Sequence, residues 1–157
     1  MFGTLSNREM EDLIYQQIIG RIACYADNVS YIVPISYAYD GVYIYARTFE
    51  GMKINMMRKN PNICFQVDDL NDLSNWKSVV AWGTFEELHA GSERDKAVQI
   101  LINRNLPILH SETMHLSPLW PFTSTQDEHV EGVIFRIYLT EKTGKFEKSI
   151  DGPFFST

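Results

Sequence analysis

Tyr31-Ile32-Val33-Pro34-Ile35-Ser36-Tyr37-Ala38-Tyr39-Asp40-Gly41-Val42-Tyr43-Ile44-Tyr45 reads as two alternating strands joined at Asp40-Gly41. β-Branched and aromatic residues fill both arms. Asp-Gly between such arms is a strong hairpin signal, because a type I′ turn needs positive φ at both central residues. On the first arm a period of two places Tyr31, Val33, Ile35, Tyr37 and Tyr39 on one large apolar face. Ile32, Pro34, Ser36 and Ala38 form the other face, which is small and weakly polar. Pro34 has no N–H to give to a ladder, which suits an edge or a bulge. A flat aromatic ligand and a packed helix would each match such a face.

Downstream, the hairpin leads through Arg47-Thr48 and a Phe49-Glu50-Gly51 turn into a short helix that opens with Met52-Lys53, and Asn60-Pro61 starts the next strand. The first N–H groups of a helix are unpaired and its dipole is positive there, so cations are disfavoured and anions welcomed. Arg47 lies just before that point and Lys53 just inside it. A bound phosphate would reconcile them, taking N–H groups from the Gly51 turn, the Thr48 hydroxyl and the two positive charges. The alternative is a surface pairing of these cations with Glu50.

The run Tyr31-Ile32-Val33-Pro34-Ile35-Ser36-Tyr37 with Tyr39-Asp40-Gly41, then Ile44-Tyr45, Gly51-Met52-Lys53 and Asn60-Pro61-Asn62-Ile63-Cys64-Phe65, resembles the pyridoxamine-phosphate-oxidase-like split barrels that bind FMN. Within them it is most similar to the nitroimidazole-resistance (Nim) type. Trp76-Lys77-Ser78-Val79-Val80-Ala81-Trp82-Gly83 is a further matching block, and the resemblance covers residues 6 to 90 best. It departs at one place: the position seven before Lys53, where Nim-type proteins carry a His, is Ala46.

The resemblance implies a mostly β protein, a small antiparallel split β-barrel with peripheral helices. It implies FMN, with FAD as the other candidate, in a cleft shared by the two subunits of a homodimer. Arg47, Thr48, Gly51, Met52 and Lys53 would hold the phosphate. Pro34, Ile35, Ser36 and Tyr37, with Ser78 and Val79, would line the ring, and Trp120 in the stretch 105–129 would reach across to the partner. The implied activity is that of an FMN-dependent oxidoreductase acting on nitroaromatic or other small organic substrates, with NAD(P)H as a candidate reductant and no named catalytic side chain. The alternatives are a pyridoxamine-phosphate oxidase proper, whose Arg-rich C-terminal pattern is missing here, a haem protein using His110 or His115, and a flavin-binding module without turnover.

The remaining sequence sets bounds. At 157 residues and 45% apolar content the chain is expected to form one soluble domain over residues 1–157. A net charge of -6 argues against nucleic acid or an anionic membrane as partner. No apolar run reaches the ~18 residues of a membrane helix, and no basic-then-apolar leader opens the chain, so a cytoplasmic location is expected. Cys24 and Cys64 sit in apolar strand patterns without metal-type spacing and read as small buried hydrophobes. His89, His110, His115 and His129 show no HxxxH or HExxH spacing, and no metal is expected. Asp68, Asp69 and Asp72 read as a solvated turn rather than an acid–base pair.

Two helices flank this core in sequence. Ser6-x-x-Glu9 is a capping box opening a helix over residues 6–18 that Gly20 ends, expected to plug an open end of the sheet. A second amphipathic helix is expected over 92–104, capped by Ser92. Arg21–Ala26 reads as the first strand, with its turn at Asp27-Asn28, Gly83 as a bend in the strand Trp76–Leu88, residues 132–140 as the last strand and 145–157 as a peripheral tail.

Overall fold

The structure, a computed structural model, describes residues 1–104 and 132–150. The elements run β1 (Phe2–Thr4), α1 (Asn7–Gln16), β2 (Ile19–Ala26), β3 (Val29–Tyr39), β4 (Tyr43–Thr48), α2 (Met52–Lys59), β5 (Asn62–Asp72), β6 (Asn75–Leu88), α3 (Ser92–Asn103) and β7 (Val133–Glu147). Every strand pairing is antiparallel, in the order β1-β7-β4-β3-β2-β5-β6, and β6 returns to pair with β7. The sheet therefore closes on itself as a split β-barrel. The seam between β3 and β4 is short, pairing only Tyr37, Ala38 and Tyr39 of β3.

Alternation explains the closure. Ile22 and Cys24 of β2, Ile35 and Tyr37 of β3, Phe65 and Val67 of β5, Val79 and Ala81 of β6, and Phe135 and Ile137 of β7 all turn inward into one core. Tyr37 and Phe65 meet there edge to face, with centroids 5.1 Å apart. At Gly83 a side chain would come within 2.3 Å of the Tyr138 carbonyl oxygen, and the β6–β7 register shifts between Trp82 and Gly83. That bulge lets the long β6 bend round to close the barrel.

α1 begins as the capping box requires: the Ser6 hydroxyl accepts from the Glu9 N–H, and Glu9 Oε2 accepts from the Ser6 N–H at 2.8 Å. Leu13 and Ile14 are buried, and α1 lies against β3, β5, β6 and β7. Its end differs from expectation. The helix stops at Gln16, and Gly20 is already inside β2, where an added Cβ would meet the Phe65 ring at 2.5 Å. A close approach, and not a helix stop, is what requires that glycine.

Other boundaries moved for local reasons. The two consecutive positive-φ residues are Asp27 and Asn28, at 51° and 61°, so the primed-type turn joins β2 to β3. At Asp40-Gly41 only Gly41 has positive φ, 95°, and Asp40 Oδ1 instead accepts from the N–H groups of Val42 and Tyr43. α3 is N-capped by Gly91 without a side-chain cap, and Ser92 is its first residue. β7 continues to Glu147, because residues 145–147 are held between β6 and the unanticipated β1. β5 runs on to Asp72, so Asp68 and Asp69 are strand residues.

Candidate functional site

The outer side of β3 is where local physics leaves groups to spare. The Tyr37 N–H donates to the Ile18 carbonyl, toward β2. Along a strand successive N–H and C=O groups alternate in direction, so those of Ser36, and the Pro34 carbonyl, point the other way. β4 does not begin to pair until Tyr37, so among the described residues that side has no neighbouring strand at Pro34 to Ser36. Pro34, paired with Arg21 on its β2 side, thus stands where its missing N–H breaks no ladder bond.

A cleft of about 230 Å³ opens beside this edge, lined by Pro34, Ile35, Ser36, Arg47, Thr48, Phe49, Lys53, Leu101 and Arg104. Six residues singled out from sequence therefore meet in one place. β4 brings Arg47 and Thr48 by pairing them with Ile134 and Val133. Gly132, at φ 102°, lets the chain enter β7 alongside: an added Cβ would lie 2.9 Å from the Thr48 carbonyl oxygen and 3.1 Å from Arg47 Nε. The Arg47 guanidinium lies 5.0 Å from the Phe49 ring centroid. α2 brings Lys53 and buries Ile54, Met56 and Met57 behind it.

The electrostatics are one-signed. Arg47, Lys53 and Arg104 face the cleft, and no carboxylate is among its described lining residues. The surface pairing with Glu50 considered for Lys53 is not made, because both Glu50 oxygens go to Arg58, at 2.7 and 2.8 Å, and Arg58 also pairs with Glu87. Lys53 is half-buried, and burial holds its ammonium below the ordinary lysine range. Arg104, at the C-cap of α3, is also partly buried, and its Nε has no hydrogen-bond partner among the described residues. A half-buried ammonium and an orphaned guanidinium nitrogen on one small cleft are the donor set for an anion such as a phosphate.

The other singled-out residues lie elsewhere. Tyr37 is 1% exposed and points into the core, its hydroxyl donating to the Ile14 carbonyl at 2.7 Å. Gly51 and Met52 line a separate open groove with Asp27 and Asn55. Ser78 accepts from Gln66 Nε2 at 3.1 Å in a polar row with Arg21 and Asp68, and Val79 is buried in the core. β2 and β5 separate Ser78 on β6 from β3 in the sheet, and neither Ser78 nor Val79 lines the cleft. Trp120, His110, His115 and His129 lie outside the described residues. Ala46 is fully buried between its β-partners Tyr37 and Phe135, facing the core. Phe49, Leu101 and Arg104 were missed. Phe49 sat inside a turn, and Arg104 closed a helix some fifty residues away, with no local pattern tying it to the hairpin.

Against known proteins, residues 6–146 match the family described as pyridoxamine 5'-phosphate oxidase. The chain belongs to that family. A FAD-binding protein from Mesorhizobium loti has a crystal structure similar to this one at TM-score 0.72, with 30% identity over 95% of this chain and 98% of that one. A protein from Bacteroides thetaiotaomicron named for 5-nitroimidazole antibiotic resistance superposes at TM-score 0.67 over 93% of this chain and 87% of that one; at 18% identity the likeness is one of fold. An uncharacterized protein of Rhizobium meliloti is 37% identical over 86 residues, 55% of this chain, and the match spans only 57% of that relative's length.

The closed antiparallel sheet matches the fold of these solved relatives of the pyridoxamine 5'-phosphate oxidase family. Among the described residues no group of His, Cys, Asp and Glu could hold a metal ion. No described helix is long and apolar enough to cross a membrane.

Proposed function

We propose that this chain is a flavin-dependent oxidoreductase that holds FMN by its phosphate between Arg47, Thr48 and Lys53. The observation that carries the reading is Lys53, a half-buried ammonium without a carboxylate partner among the described residues, aimed with two guanidinium groups at one cleft. A phosphate monoester supplies the missing counter-charge, and the Thr48 hydroxyl supplies a neutral donor. The free-side N–H of Ser36 and carbonyls of Pro34 and Ser36 are placed to bond the polar edge of a flat ring.

When bound, the flavin supplies the hydride and electron chemistry. The protein's part is placement and field. The described cleft residues include no carboxylate or histidine, which leaves Lys53 as a titratable side chain there whose charge burial disfavours. Cationic groups near the ring would favour its reduced, anionic form. Small organic acceptors, nitroaromatics among them, are the proposed substrates, with NADH or NADPH as the source of reducing equivalents.

The working unit in this reading is a homodimer. Ile32 and Trp82 are exposed at 64% and 42% at the ends of one outward row through Ala23 and Cys64, with Tyr25 at 49% on one side of it and Arg21 on the other. Such an apolar row suits a second copy. A second copy would also bring a Ser78–Val79 segment to a ring in the cleft, which the same chain's segment does not line. FAD is a second reading, favoured by similarity to the Mesorhizobium loti FAD-binding protein.

The test is to purify the protein, release any chromophore by denaturation and identify it by mass, then mix the loaded protein anaerobically with NADH or NADPH. Expected are FMN or FAD and bleaching of the flavin absorbance. A protein that neither carries flavin nor binds added FMN or FAD overturns the reading.

A further inference from the structure

Arg104 is the residue of the cleft that no motif assigned. It closes α3, whose last turn is held down by Leu101, 1% exposed and packed with Ala38, Tyr45, Val98 and Ile134 over the β3–β4 seam. Leu101 and Arg104 both line the cleft, so the carboxyl end of α3 borders the place where Arg47 and Lys53 converge. A helix carboxyl end carries unpaired carbonyls and about half a negative charge, which repels an anion. The Arg104 guanidinium stands at that end, with Nε buried and unpartnered among the described residues.

We propose that Arg104 is a third cationic contact to the phosphate-bearing tail of the flavin, reversing the sign of the α3 terminus and giving its orphaned Nε–H to a phosphate oxygen. The inference rests on the flavin reading above, which counts the Arg104 guanidinium only as part of the charge of the cleft, and assigns it a direct contact. Its physical content is a trade. Without ligand, the buried guanidinium nitrogen costs stability because it has left water and found no acceptor. An oxyanion arriving at the cleft satisfies it and gains a charge-assisted bond. Arg104 should therefore harm the empty protein and help the loaded one, a combination that a merely structural arginine would not show.

The test uses the full-length chain and its Arg104→Gln and Arg104→Lys variants, each freed of flavin, with Lys53→Ala beside them. Binding of FMN, FAD and riboflavin is followed by fluorescence, and thermal stability is read with and without inorganic phosphate or pyrophosphate. Expected for Arg104→Gln is a melting temperature no lower than wild type without ligand, a loss of the stabilisation by phosphate, and FMN and FAD binding weaker by about 10- to 100-fold. Riboflavin, which has no phosphate, should bind all the variants equally, and Arg104→Lys should recover part of the loss. The larger of the FMN and FAD losses identifies which tail Arg104 meets. If Arg104→Gln binds FMN and FAD like wild type while Lys53→Ala does not, the Arg104 assignment is overturned and the flavin reading stands. If wild type itself binds no flavin but phosphate stabilises it and not Arg104→Gln, the flavin reading falls and Arg104 remains an anion contact.

Discussion

Glu50 gives both carboxylate oxygens to Arg58, at 2.7 and 2.8 Å, and so is not the counter-ion of Lys53 three residues after it. Arg58 is further anchored by Glu87 at 2.8 Å, which holds the acidic groups on the far side of α2. The same short helix thus carries a spent ion-pair cluster at Arg58 and, at Lys53, an ammonium with no carboxylate partner among the described residues. That asymmetry is what fits the cleft beside β3 to the anion-binding role proposed for it.

Lys53→Ala should lower flavin affinity by about 10- to 100-fold, the worth of one charge-assisted contact of about 1.5–3 kcal/mol. Fluorescence titration of flavin-free protein measures it. Undiminished affinity would remove Lys53 from the site.

Lys53 also sets a pH dependence. Burial lowers its folded pKa below the unfolded value, so between the two values the unfolded chain binds more protons and the stability of the flavin-free protein rises with pH. Flavin binding runs the other way: affinity should fall as pH rises through the lowered pKa, earlier than an ordinary lysine would allow. Lys53→Arg should flatten both profiles, since a guanidinium does not titrate there.

Tyr37→Phe should destabilise the fold by about 1–2 kcal/mol, because the Ile14 carbonyl lies in the last turn of α1 and the buried Tyr37 hydroxyl is its donor. Urea unfolding reads the change. A shift in flavin affinity without a loss of stability would mean instead that Tyr37 acts at the cleft and not in the core.

Gly83→Ala should cost about 3 kcal/mol or more, since its Cβ would lie 2.3 Å from a backbone oxygen that has no rotamer by which to move away. Melting temperature and soluble yield report it. An unchanged melting temperature would show that β6 and β7 do not close at this bulge.

Ile32→Glu places a charge on the exposed apolar face of β3 and should turn a dimer in sedimentation into a monomer, with flavin occupancy falling alongside. A wild-type protein that sediments as a monomer at micromolar concentration, still loaded with flavin, would end the shared-site reading.

Several features could be read directly from residue order. The Ser6–Glu9 box, the inward alternation of β3 and the Gly83 bend each depend on residues close in the chain, and each is found in the structure. Less legible was anything set by a distant partner. Gly20 looked like a helix stop because the Phe65 ring that needs its missing side chain lies 45 positions later. The stretch 145–147 looked like a tail because the β1 strand that pairs with it sits at the other end of the chain.

The sequence by itself determined the alternating strands and the hairpin that carries Arg47 and Thr48 toward Lys53, since side-chain period and turn chemistry act within a few bonds, while the barrel was implied by the family resemblance. Only the tertiary structure decided that Glu50 belongs to Arg58, that Tyr37 faces the core, and that Arg104 joins the cleft. Those outcomes depend on which charges and apolar faces meet once the sheet closes, and Coulombic and packing energies depend on distance in space and not on distance along the chain.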